Sequence, residues 1–142
     1  MNRFLFAAIF CAAISLIHLI FGGKDVVEPL LGSNMATTPL LTLYVVWHIT
    51  TLLLIASSVV YFLASKERRS SPALHQGHWQ FCAQLISYFY LALSVLFLLV
   101  AYLHGGGALY VELPQWLLFI PLVALGLGGS KASVRTGTVV DG

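Results

Sequence analysis

Runs of apolar residues broken by short polar stops set the rhythm of the chain. Residues 4–21, 40–64, 81–103 and 115–128 are almost wholly apolar, and Gly, Pro or charged residues separate them. Runs of this length without charge predict membrane-spanning helices. The expected fold is therefore all-α, a polytopic four-transmembrane-helix bundle occupying residues 1–129, followed by a cytoplasmic tail over residues 130–142. Within each run the few polar and small residues fall at helical steps of three and four. Cys11, Ser15, His18 and Gly22 make one such stripe, Tyr44, His48, Thr51, Ile55 and Ser58 a second, and Gln84, Ser87, Ser94 and Ala101 a third. Small and hydroxylated side chains on one face let helices approach closely in lipid, so these stripes predict the helix–helix contacts.

The stops predict the connections. Gly22-Gly23 is expected to end the first helix, and the following Val26, Val27, Leu30 and Leu31 alternate with Lys24, Asp25 and Glu28. That mixture suggests an amphipathic piece lying in the headgroup region, over His18 and His48. The first run follows Arg3 and resembles a signal peptide, but no A-x-A site follows it, and we read it as an uncleaved span. Pro121 inside the fourth run should kink that helix.

Composition agrees with the pattern. The chain has 142 residues, of which 59% are hydrophobic and 8% charged. Seven basic and five acidic residues cannot form the polar shell of a soluble domain of this size, whose charged fraction is usually about 25%. A net charge of +2 gives no footprint for nucleic acid. Cys11 and Cys82 form no CxxC and read as small buried hydrophobes. All but one of the seven basic residues (Arg3, Lys66, Arg68, Arg69, Lys131 and Arg135, against Lys24) fall on one side of a four-span topology. The positive-inside bias then puts both termini in the cytoplasm, with a bacterial inner membrane as the expected location.

Candidate chemistry is sparse. GxSxG, Walker, HExxH and CxxCH motifs are missing, and no carboxylate lies inside a run, so a catalytic site or a carboxylate-driven pump is not expected. His75-x-x-His78 has metal-ligand spacing but reads as a solvated interfacial turn. His18 and His48 sit on two helices, roughly 6 Å and 13 Å below the outer boundary, with His104 closing the third helix on that side. Two imidazoles at membrane depth suit the axial positions of a b-type haem, with Tyr44 and Thr51 supporting them and Trp47 beside them. A metal ion with His104 as third ligand, or a quinone held by a histidine and aromatic rings such as Trp47, are the alternatives. The competing expectation is that these imidazoles only hydrogen-bond between helices. On that expectation the protein is a non-catalytic accessory or assembly subunit, with the lipid bilayer and other membrane subunits, or further copies of itself, as partners.

Overall fold

The computed structural model describes residues 2–70, 77–104, 107–112 and 115–128. His75 and the tail with Lys131 and Arg135 lie outside the described residues. Everything described is helical or a short turn: α1 (Arg3–Gly22), α2 (Glu28–Leu31), α3 (Thr37–Ser70), α4 (His78–His104), α5 (Gly107–Glu112) and α6 (Gln115–Leu127), with a π-helical turn at Gly23–Val27 joining α1 to α2. α1 packs against α3 and α6, and α4 packs against the same two helices. Three stretches are long and apolar enough to cross a membrane: Arg3–Leu31, Thr37–Ser70 and His78–His104. α6 has 13 residues, about 20 Å of helix, which alone is shorter than a hydrocarbon core of about 30 Å.

Two boundaries differ from the sequence expectation for physical reasons. The first helix does not stop at Gly22-Gly23. Gly23 keeps right-handed helical angles (φ −58°, ψ −45°), and the chain passes through the π turn into α2 before Gly32 ends it. Pro29 in regular α geometry would press on the carbonyl four residues back, and the wider π turn lies where that clash would fall. α3 runs six residues beyond the apolar stretch expected at 40–64, through Lys66-Glu67-Arg68-Arg69. Those long side chains favour helix once the preceding turns are in place.

One end of the bundle is tied by hydrogen bonds between segments far apart in sequence. Asn2 Nδ2 donates to Ser65 O (2.8 Å), and Arg3 donates to Gly128 O (2.6 Å). The Glu67 carboxylate accepts from Gln80 N (3.1 Å) in the first turn of α4, where partial positive charge favours an anion. A Cβ on Gly77 would overlap that carboxylate, so glycine there admits the close approach of α3 to α4. The beginnings of α1 and α4 and the ends of α3 and α6 therefore meet at one end. Arg3, Lys66, Arg68 and Arg69 stand there, and Lys24 lies at the opposite end beyond α1.

The interior is narrow and rich in small residues. Ala7, Cys11, Tyr61, Ala64, Ala83 and Leu122 are fully buried. Large apolar side chains point outward, among them Ile9 (61% exposed), Leu52 (66%) and Leu103 (64%). This inverts the arrangement of a soluble bundle and matches a protein whose solvent is lipid.

Candidate functional site

Antiparallel packing of α1 on α3 decides which side chains meet. Ser58 donates to Ala8 O (2.9 Å), the Cys11 thiol to Leu54 O (3.3 Å), and His18 Nε2 lies 3.5 Å from Trp47 O. Following that register outward, the His18 ring stacks on the Trp47 indole, with centroids 3.7 Å apart and planes 16° from parallel. Gly22 lies one turn further along. A Cβ there would sit 2.6 Å from Trp47 Cζ2 and closer still to Cη2, so the indole needs a glycine opposite it. His18, Gly22 and Trp47 form a single aromatic clasp between α1 and α3.

This register brings His18 level with Trp47, and hence within about one residue's rise, 1.5 Å, of His48 along the bundle. The depth offset expected from the sequence therefore disappears. Direction differs instead. Trp47 and His48 are separated by about 100° around α3, and with Trp47 turned to α1, His48 is exposed. Its ring meets the edge of Tyr44 on its own helix, at 4.6 Å and 83°. Thr51 is buried and donates back to Trp47 O (3.3 Å). The inward stripe of α3 thus runs through Trp47, Thr51, Leu54, Ser58, Tyr61 and Ser65, one residue out of step with the expected Tyr44, His48, Thr51, Ile55 and Ser58. Both stripes have 4-3 spacing and share Thr51 and Ser58, so periodicity alone does not choose between them. Burying the large indole against Gly22 does.

The remaining sequence candidates separate in space. His104 is exposed at the end of α4. No group of three or more His, Cys, Asp or Glu side chains able to hold a metal ion occurs among the described residues. A haem with His18 and His48 as paired axial ligands would require one of the two rings to leave its present contact. With His18 held against Trp47 and His48 turned outward, the protein purified in mild detergent is expected to show no Soret absorption. A Soret band that disappears in both His18→Ala and His48→Ala would establish the haem reading instead.

The interior holds a polar cluster that sequence reading did not single out. Tyr90 on α4 donates to Ser57 Oγ (2.9 Å), and Ser57 donates to Leu53 O (2.8 Å) on its own helix. Tyr61 on α3 and Ser87 on α4 are joined by a second hydroxyl pair (2.9 Å), and Ser87 donates to Ala83 O (2.8 Å). Cys11 Sγ approaches Tyr90 OH at 3.8 Å from the α1 side. Each relay ends on a backbone carbonyl, so these buried hydroxyl protons all have acceptors. The arrangement ties three helices together and leaves its hydroxyls engaged with one another. The signal in the sequence was the stripe of Ser87 and Ser94 on α4; Tyr61, which answers Ser87, and Tyr90, which answers Ser57 on α3, read as ordinary aromatics.

Comparison with protein-family models, with curated proteins and with solved structures finds no match for this chain.

Proposed function

We propose that the protein is a four-span integral membrane protein of the bacterial inner membrane, with both ends cytoplasmic. In this reading it serves as a non-catalytic accessory or assembly subunit of a larger membrane complex. The orientation follows from the basic residues at the end where α1 begins and α6 finishes, with Lys24 the only lysine or arginine opposite among the described residues. The short α6 completes the fourth crossing with α5 at its outer end, where Trp116 Nε1 donates to Tyr110 O (3.0 Å). Modest local thinning of the bilayer accommodates what remains of the mismatch.

One observation carries the functional reading. The outer half of α3 presents a shallow, mostly apolar groove that includes Thr38, Leu41, Thr42, Val45 and Ile49, with exposed His48 and half-buried Tyr44 beside it. The hydroxyls of Ser57, Tyr61, Ser87 and Tyr90 are paired within the bundle, and Thr42 donates to Thr38 O on its own helix (2.9 Å). What the molecule offers to other molecules is consequently an outer surface, of the kind a neighbouring helix covers. Native electrophoresis of mild-detergent extracts is expected to show the protein in a particle well above its own 15.5 kDa plus micelle. Ile49→Trp, which fills the groove without touching the core, is expected to release it to the small form. A wild-type protein that runs small in every mild detergent, or an Ile49→Trp protein still held in the large particle, would reject the subunit reading.

A further inference from the structure

The basic end of α3 carries a second surface of different chemistry. Ile55, Val59, Phe62, Lys66 and Arg69 follow one another at steps of four, three, four and three, so they share one face, and all five are exposed. The order along this face is aliphatic, aliphatic, aromatic, cation, cation. The Lys66 ammonium lies 4.9 Å from the centroid of the Phe62 ring, directly where the apolar stripe gives way to charge. The neighbouring charges are turned elsewhere. Glu67 is engaged at the start of α4 through Gln80 N, and the Arg68 guanidinium lies over the Phe4 ring on α1, 6.0 Å from its centroid. The one carboxylate in the run is thereby kept off the Lys66–Arg69 face.

We infer that this face is a binding site for an anionic phospholipid. Its phosphate would lie between Lys66 and Arg69, with an acyl chain along Phe62, Val59 and Ile55. Charge complementarity names the headgroup, since two cations with no facing carboxylate among the described residues attract an anion at the interface. The apolar stripe directly below supplies what a free anion would not use. The inference rests on the transmembrane reading and is independent of the accessory role. Resistance of the protein to alkaline extraction from membranes tests the former separately.

The test uses the full-length protein in phosphatidylcholine vesicles carrying spin-labelled phosphatidylglycerol or spin-labelled phosphatidylcholine. The electron paramagnetic resonance spectrum reports the immobilised fraction of each lipid. Wild type is expected to immobilise the anionic label preferentially. Lys66→Gln and Arg69→Gln are each expected to reduce that preference about fivefold, the equivalent of one interfacial charge. The charge-preserving pair K66R/R69K is expected to retain it. Raising the salt concentration on wild type should reproduce the loss without any substitution. Inorganic phosphate added in the range where it matches the lipid concentration is expected to leave the label immobilised. Equal retention of both labels by wild type, or an unchanged preference in the doubly neutralised K66Q/R69Q, would overturn the site. Displacement by inorganic phosphate would overturn the lipid as its ligand.

Discussion

Gly126→Val is expected to destabilise the bundle more than any other single methyl-scale change in it. A Cβ at Gly126 would overlap Ser87 Oγ and lie 2.9 Å from Ser87 Cβ and 3.4 Å from Tyr61 Cε1. None of these can withdraw easily. Ser87 is fully buried, bonded at once to Tyr61 and to Ala83 O, and Tyr61 is itself fully buried. The substitution therefore either pushes α6 off α4 or breaks the hydroxyl pair. Overpacking of this kind costs about 1–3 kcal/mol, and interhelical hydrogen bonds in membranes about 0.6 kcal/mol each. A loss of about 2–4 kcal/mol is expected in reversible unfolding measured in mixed micelles. Gly126→Ala should lie part of the way. Gly23→Ala is the control, because nothing lies within 4 Å of a Cβ there and the backbone is already right-handed helical. It should be neutral or slightly stabilising. A Gly126→Val protein as stable as wild type would mean that α6 does not pack where it is described.

The second large effect concerns Tyr90. Its ring is 1% exposed, stacked on Phe119 at 5.2 Å, and its hydroxyl donates to Ser57. Tyr90→Ala leaves a cavity bounded by three helices and is expected to cost about 3–5 kcal/mol. Tyr90→Phe keeps the ring and removes only the hydroxyl, at a cost of about 1 kcal/mol. Because Ser57 keeps an acceptor at Leu53 O, it is not orphaned by the change. The double substitution with Ser57→Ala isolates the pair, whose coupling is expected to be about 0.6–1.7 kcal/mol. A coupling near zero would show that packing alone holds α3 to α4 at this level. A Tyr90→Phe loss as large as that of Tyr90→Ala would show the reverse, that the hydroxyl dominates.

The two predictions concern residues of different legibility. The Ser87 and Ser94 stripe on α4 was readable, because hydroxyls recurring at helical steps in an apolar run have few reasons to face lipid. Both are buried, as is Ala101 on the same stripe. Gly126 carries no spacing signal of its own; Ala124 and Gly128, four residues apart on the same helix, form a small-x-x-x-small pair. Of these, Gly128 accepts from Arg3 at the end of the bundle and Ala124 is exposed, while Gly126 makes the tight contact. In a helix this rich in small residues the spacing fits several faces, and only the position of the neighbouring helices selects one. The clasp of His18, Gly22 and Trp47 was half legible. The histidine and glycine lie on one stripe of α1, yet their partner is the residue next to the expected His48. Distance along the chain says nothing about which of two adjacent side chains, 100° apart, turns inward.

What the residue order determined unaided is the class of molecule: apolar rods bounded by basic flanks, too poor in charge to be wetted on all sides. That follows because transfer of side chains into lipid is a sum over local composition and needs no knowledge of neighbours. Tertiary structure alone decided which faces are inside, that His48 points out while Trp47 points in, and that two tyrosines close the core on serine hydroxyls. In lipid the inside and the outside of a helix are nearly equally apolar, so hydropathy cannot separate them. Close packing and hydrogen-bond pairing between particular helices make that choice.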